Sequence, residues 1–109
     1  MTFLPPKIKH DSGRKNAGRR SPQHRAWVRL HACAACGSFV GIECAHVRSE
    51  TDGGTGYKPS DKWCVSLCRD CHRRQHQIGE GPFEHEYGIS LKAIAEAFFK
   101  RSPHRTKLA

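Results

Sequence analysis

Long apolar segments are missing from this sequence. Only 37% of its 109 residues are hydrophobic, and no run approaches the ~20 apolar residues that a helix needs to span a bilayer. The basic N-terminus also lacks the apolar centre of a secretory signal. We therefore expect a cytoplasmic protein without membrane contact. A chain of this length forms one domain with a small hydrophobic core. Covalent cross-links or a bound metal ion are therefore expected to stabilise it.

Acidic residues are also scarce. Ten Asp and Glu stand against 19 Lys and Arg, which gives a formal net charge of +9. Such an excess attracts polyanions, because neutralising phosphates releases condensed counterions. Charge alone would equally describe a soluble basic surface. In combination with the metal-type motifs described below, it favours a nucleic acid as the partner.

The N-terminal third predicts an arm followed by a helix. Residues 1–20 hold six basic residues against one acid, without apolar periodicity, and are expected to be a flexible basic arm that either contacts DNA or has no role. Ser21 and Pro22 are a helix start, and the helix is expected to end near His31. Its apolar stripe would be Ala26, Trp27 and Leu30.

The remaining chain predicts a small α+β domain over residues 21–101, followed by a short basic tail over residues 102–109. Residues 39–42 and 44–47 read as two short strands or one bent strand, residues 49–60 as a mobile glycine loop, and residues 63–67 as a strand. A helix should follow and break at residues 79–82, with a short helical turn over residues 83–87. Ser90 can cap a last helix whose core face is Leu91, Ile94, Ala95, Phe98 and Phe99.

Four of the six cysteines form two CxxC pairs, Cys33 with Cys36 and Cys68 with Cys71. A two-residue gap lets both thiolates of a pair reach one ion, and two pairs complete a tetrahedron. The spacing predicts a structural zinc site, with a redox CxxC as the competing interpretation. The other two cysteines, at positions 44 and 64, have no partner at ligand spacing and are expected to be small buried apolar side chains.

Three histidines suggest hydrolytic chemistry. His72 and His76 are four residues apart on the helix that follows the second cysteine pair, so both project from one face and can share an ion. His46 precedes the glycine loop at the end of a strand. A neutral imidazole there could act as a general base and activate water for phosphodiester hydrolysis, with a divalent ion stabilising the charges on phosphate.

The cysteine and histidine motifs follow one another in a distinctive order. They run Cys33-x-x-Cys36, Glu43-Cys-Ala-His46-Val-Arg48, Gly53-Gly-x-Gly56-x-Lys58-Pro-Ser-Asp61 and Ser66-Leu-Cys68-x-x-Cys71-His72-x-x-Gln75-His76. Over residues 21–100 this order resembles the HNH (ββα-metal) endonucleases of phages and prophages, including prophage HNH proteins classed as domains of unknown function. More distantly, it resembles the RecA-dependent phage nuclease Ref.

The resemblance implies a zinc-stabilised ββα-metal fold with flanking N- and C-terminal helices. It makes His46 the general base, and Asp61 is the nearest candidate for the middle motif position, which orients the base or supports the site. His72 and His76 would bind a catalytic Mg²⁺ or Mn²⁺. Asp61 has an alternative interpretation as the cap of the turn after Pro59 and Ser60.

One position departs from the family pattern. Many HNH enzymes place a metal ligand directly before the base, where this chain has Ala45. The remaining ligand is left open between Glu43, Asp61, the two helix histidines together, and a DNA phosphate.

Five basic residues near the motifs are candidates for binding phosphates. Such contacts would position DNA without recognising its sequence. These residues are Arg48, Lys58, Arg69, Arg73 and Arg74. Trp27 and Trp63 are expected in the core. The leading hypothesis is a metal-dependent DNA endonuclease linked to recombination or repair. The alternatives are a non-catalytic zinc module that binds DNA or a recombination protein, and a zinc-knuckle RNA-binding module in which Phe39 would contact bases.

Overall fold

Four helices and a two-stranded sheet make up the part of the chain that the structure, a computed structural model, describes: residues 18–49, 51 and 59–108. In chain order they are α1 Pro22–Val28, β1 Ile42–His46, β2 Cys64–Cys68, α2 Arg69–Ile78, α3 Glu80–Tyr87 and α4 Leu91–Arg101, with 3₁₀ turns at Asp61–Trp63 and Arg105–Lys107. The predicted α+β class is confirmed. None of these helices combines the length and apolar character required to cross a bilayer.

The two strands form an antiparallel hairpin whose faces are both covered. Ile42 pairs with Cys68 and His46 with Cys64. Because side chains alternate along a strand, Val65 and its same-face neighbours join a core with α3 and α4. Cys64, on the other face, packs with residues of α1 and α4. Every residue of β2 is buried as a result, and His46 emerges on the side of α1.

α1 begins as predicted but is shorter and turned differently. Ser21 Oγ accepts a hydrogen bond from the amide of His24 at 3.1 Å, and the helix ends at Val28. The predicted stripe is wrong at two of its three positions, since Ala26 is exposed and Leu30 is 75% exposed, whereas Trp27 packs against the core as expected. The core instead takes His24 and Val28, which lie one turn apart on the same face.

The strand boundaries also differ from the prediction. Phe39 and Val40 precede β1, which begins only after Gly41, whose φ of +65° breaks the extended conformation. Trp63 belongs to the 3₁₀ turn that leads into β2, because Ser60 caps that turn. Most of the predicted glycine loop, residues 50 and 52–58, and most of the predicted arm, residues 1–17, lie outside the described residues.

The C-terminal helices follow the predicted order with one shifted start. Gly79, with φ +89°, separates α2 from α3, but α3 already begins at Glu80. Pro82 therefore lies in its first turn, where a missing amide is tolerated. Ser90 caps α4 as predicted. After α4 the chain stays packed, with Ser102 fully buried and Leu108 only 6% exposed.

The buried imidazole of His24 predicts a pH-dependent stability. Its Nδ1 atom lies 2.8 Å from Ser102 Oγ, and burial lowers the pKa of His24. The buried neutral imidazole contributes its full stabilisation of the folded state above the unfolded pKa of about 6.5. This stabilisation is lost as the pH falls through the lower pKa of the folded state. The melting temperature should therefore fall more steeply between about pH 7.5 and 5.5 in wild type than in His24→Gln. His85→Gln, at an exposed position, should keep the wild-type slope; equal slopes in all three proteins would contradict this account.

Candidate functional site

Four cysteine thiols converge where the first CxxC pair meets the end of the hairpin. The Sγ atoms of Cys33, Cys36, Cys68 and Cys71 lie within 4.8 Å of one another, and those of Cys36 and Cys68 are 3.7 Å apart. Thiolates bound to one zinc ion at about 2.3 Å would be roughly 3.8 Å apart at the corners of a tetrahedron. The cluster can therefore hold a metal ion, and its donors are compatible with structural zinc.

The environment of these thiols is that of a closed ion site. The amides of Cys36 and Cys71 lie 3.4 Å and 3.5 Å from the Sγ atoms of Cys33 and Cys68, to which they donate. Burial alone would raise the pKa of Cys33, but hydrogen bonds from backbone amides lower it to about 7. Burial and the adjacent thiols raise the pKa of Cys71. A cation between the sulfurs would offset their mutual repulsion as thiolates, and four ligands would leave no position for a substrate.

At the opposite end of the hairpin, His46 is held by Asp61. The distance from His46 Nε2 to Asp61 Oδ1 is 2.8 Å. Burial would raise the pKa of Asp61, but hydrogen bonds from His46, the Ser21 amide and Arg25 lower it to about 2. The ionised carboxylate can only accept, so Nε2 of His46 is the donor, and in the neutral form of the ring the lone pair lies on Nδ1.

The Asp61 carboxylate is fully buried and has donors on both oxygens. The Ser21 amide donates to Oδ2 at 2.7 Å, and Arg25 forms an ion pair with the same oxygen. The guanidinium of Arg20 lies 3.2 Å from Oδ1. Asp61 thus ties the start of α1 to the end of β1, and two cations compensate its charge.

The structure contradicts one of the two sequence interpretations of Asp61. The 3₁₀ turn is capped by Ser60, whose Oγ accepts from the Lys62 amide at 3.3 Å. The interpretation of Asp61 as the turn cap is therefore wrong. Its side chain points to His46, which is the contact expected of a residue that orients a base.

His72 and His76 lie one turn apart on α2, with their Nε2 atoms 3.2 Å apart. Nδ1 of His72 is 2.8 Å from Oε1 of Glu43 on β1. Donation to this carboxylate leaves Nε2 of His72 with its lone pair, as in histidines that bind metals. Two imidazole nitrogens on one ion at about 2.0–2.1 Å would be roughly 2.9–3.4 Å apart, depending on its geometry. The pair therefore has the spacing of two ligands of one cation.

The predicted base and the histidine pair share one cavity of about 410 Å³. Its lining consists of Arg25, Cys44, His46, Arg48, His72 and His76. The cavity therefore combines a candidate base that Asp61 orients, two candidate metal ligands and two guanidinium groups on one surface. Cys44, predicted to be buried, is only partly so, whereas Cys64 is fully buried as expected.

The predicted phosphate-binding residues are distributed more widely. Arg48 lines this cavity, whereas Arg69 is 72% exposed, lies 4.0 Å from Glu43, and lines a second cavity beside the cysteines. Arg73 and Arg74 do not line this cavity and pair with acidic side chains at 3.8 Å and 2.9 Å. Lys58 lies outside the described residues.

The possible third metal ligands do not surround the histidine pair. Within residues 18–49, 51 and 59–108, three or more metal-type donors meet only in the cysteine cluster and around His46, Asp61 and Cys64. The second group is unsuited to a cation because arginines already compensate its carboxylate. Asp61 is thus engaged elsewhere, and Glu43 contacts the far nitrogen of His72.

Sequence reasoning missed three contributors to the site. Arg20 and Arg25 reach Asp61 from more than 35 positions away, and Glu80 accepts hydrogen bonds from the Arg48 and Ser49 amides at 2.7 Å and 2.9 Å. An acid at the start of α3 is a recognisable helix-end preference. No local spacing connects any of these residues with His46, so only the fold reveals them.

Comparisons with known proteins return descriptions without an activity. The family described as "Protein of unknown function (DUF968)" matches residues 12–104. YdfU, an uncharacterized protein of Escherichia coli (strain K12), is 32% identical over 72 residues, covering 66% of this chain and 20% of that protein. The chain thus spans about a fifth of this relative's length. No solved structure matches the chain. Neither description names a nuclease, so the HNH resemblance stays a prediction.

The buried ion cluster around Asp61 predicts that replacing this carboxylate with an amide strongly destabilises the protein. Asp61→Asn should lower the free energy of unfolding at pH 7 by about 3 kcal/mol, because it leaves partly buried guanidinium groups without their counter-charge. Glu86→Gln is the matched control, since Glu86 pairs with Arg74 on the surface and such pairs contribute little. Urea unfolding measures both. Equal, small losses would show that Asp61 does not organise the site.

Proposed function

The chain belongs to the DUF968 family, and we propose that its function is metal-dependent hydrolysis of DNA phosphodiester bonds by an HNH-type site. The observation that carries the proposal is the shared cavity of His46, His72 and His76. A structural role would not require a base oriented by a buried carboxylate to face a histidine pair at ligand spacing. The order β1, β2, α2, with His46 on the first strand and the pair on the helix, supports the same proposal.

His46 is the general base of this proposal. Its Nε2 proton is held by Asp61, so Nδ1 accepts the proton of a water that attacks the phosphorus atom. Asp61 holds the ring in one orientation and stabilises the imidazolium that results. Arg25 and Arg48, on the wall of the same cavity, attract the phosphate and hold its oxygens while the negative charge grows.

His72 and His76 are the residues that would hold a divalent ion. A bound Mg²⁺ or Mn²⁺ would supply charge stabilisation at the phosphate and leaving oxygens. Glu43 orients His72 through its second nitrogen, which is the usual outer contact of a metal-binding histidine. The described residues place no third donor beside the pair; with water and phosphate oxygens as the further ligands, ion binding would be coupled to binding of DNA.

The cysteine cluster has a separate task in this proposal. Its four sulfurs bind zinc as a closed site, and the binding free energy becomes folding free energy. Cys68 ends β2 and caps α2, so an ion on it fixes the direction in which α2 leaves the sheet. That direction determines where His72 and His76 point.

The alternative is a non-catalytic zinc module that binds DNA or a recombination protein. It would use the cysteines and the net charge of +9. It gives no role to the orientation of His46 or to the spacing of the histidine pair, and the two functions therefore separate by mutation of His46.

The first prediction of the proposed function concerns DNA cleavage. Zinc-loaded protein should nick supercoiled plasmid with Mg²⁺ or Mn²⁺ and not without them, and His46→Ala should lower the rate by roughly 10²–10⁴-fold because the base is lost. His85→Ala, at an exposed position of α3, should cut as wild type does. Folded protein that retards DNA on a gel and leaves it intact with either ion would favour the binding module.

A second prediction concerns the divalent ion. Glu43→Gln should raise the Mn²⁺ concentration for half-maximal cutting by roughly tenfold, because His72 loses its orienting carboxylate. DNA binding measured without added divalent ion should be unchanged. Glu84→Gln is a control at a similarly half-buried acid that bonds to the Leu91 amide. The same Mn²⁺ requirement in wild type and Glu43→Gln would remove Glu43 from the site.

The third prediction concerns zinc. Purified protein should hold one zinc per chain, and Cys36→Ser, at the exposed member of the cluster, should lose the ion and melt at a lower temperature. Cys44→Ser should keep it. Metal analysis measures the zinc content, and thermal unfolding measures the melting temperature. Full zinc content in Cys36→Ser would contradict the four-cysteine assignment.

A further inference from the structure

The loop between the first cysteine pair and β1 carries an apolar tip, Phe39 and Val40, that the proposed reaction does not use. Phe39 is 74% exposed and Val40 is 80% exposed. Single exposed apolar residues need no explanation, but two adjacent ones at the tip of a held loop form a surface suited to contact with an apolar partner.

Hydrogen bonds hold this loop in shape on both sides of the tip. The Cys33 amide donates to the Ser38 carbonyl at 2.7 Å, and the Arg69 amide donates to the Gly41 carbonyl at 2.9 Å. The Val40 amide donates to Ser38 Oγ at 3.1 Å. The tip is thus fastened to the cysteine cluster and to the first residue of α2, and it can enter a partner with little loss of conformational entropy.

The surroundings of the tip favour DNA over another protein. Val40, Arg69 and Asp70 line one concave surface, where Arg69 is 72% exposed and lies 4.0 Å from Glu43 and Asp70 is paired with Arg73 at 3.8 Å. The two apolar side chains offer on the order of 300 Å², well below the roughly 800 Å² per partner of a stable protein interface. Most of the affinity must then come from charge, and the net charge of +9 favours a polyanion. An apolar wedge beside a cation matches a duplex, whose stacked bases lie inside a phosphate shell.

We propose that Phe39 and Val40 form a wedge that enters between adjacent base pairs of duplex DNA while Arg69 contacts a flanking phosphate. The inference rests on the proposed nuclease function and specifies its substrate: duplexes with a weakened step, such as a mismatch. β1 joins the loop to His46, and its five residues span roughly 13 Å. Because Phe39 and Val40 lie before β1, cutting is expected to one side of the wedged step and not at the step itself.

The test uses a 30-base-pair duplex with one central mismatch, 2-aminopurine beside it, and a fully paired duplex of the same sequence otherwise. Without added Mg²⁺ or Mn²⁺, wild-type protein should raise the 2-aminopurine fluorescence and bind the mismatched duplex roughly tenfold more tightly, as expected for apolar contact with an unstacked base. With Mn²⁺, products should end at a fixed distance to one side of the mismatch and not at the mismatch itself.

The variant Phe39→Ser/Val40→Ser should lose the fluorescence change and the preference while keeping the wild-type melting temperature, since both side chains are exposed. Leu30→Ser, which removes an equally exposed apolar residue at the end of α1, should behave as wild type. Cutting without any fluorescence change or mismatch preference would overturn the wedge and leave the nuclease standing. Unstacking without cutting would support the wedge and remove the nuclease. A change of oligomeric state in the double variant would assign the tip to a second copy and overturn the proposal.

Discussion

The buried charge of Asp61 is the constraint on which the rest of the site depends. An ionised carboxylate in a protein interior is tolerated only when donors and counter-charges surround it. Here they come from the start of α1, from Arg25 within it and from His46 at the end of β1. Asp61 thereby joins segments that are distant in sequence. The imidazole of His46 takes its orientation because the buried carboxylate needs a hydrogen-bond donor there.

The hairpin separates two groups of potential metal donors by its length. Cys68 stands at one end of the strand pairing, opposite Ile42, and His46 at the other, opposite Cys64. The sulfur end is closed, with four soft donors and no free position. The histidine end offers two nitrogen donors and a cavity lined by Arg25 and Arg48. α2 begins at the first end and brings its histidines to the cavity that they share with His46, so the packing of the cysteines affects the position of the histidines.

Features that depend on residues close in sequence could be predicted, whereas features that depend on contacts between residues far apart in sequence could not. The CxxC pairs, the serine caps at positions 21 and 90, and the histidine spacing on α2 depend on residues a few positions apart, and the structure has each of them. The face of α1 was predicted wrongly, because burial of His24 depends on Ser102 at the other end of the domain. Arg25 and Glu80 escaped notice for the same reason.

The contact of Arg20 with Asp61 has a consequence for proteolysis. Residues 18–20 read as part of a separable basic arm, yet the Arg19 carbonyl accepts the Asp61 amide at 2.8 Å and Arg20 reaches both the Pro59 carbonyl and the Asp61 carboxylate. A protease that removed the first twenty residues would take away part of the charge compensation of a buried carboxylate. Such a cleavage would damage the site while leaving every histidine and cysteine of the domain in place.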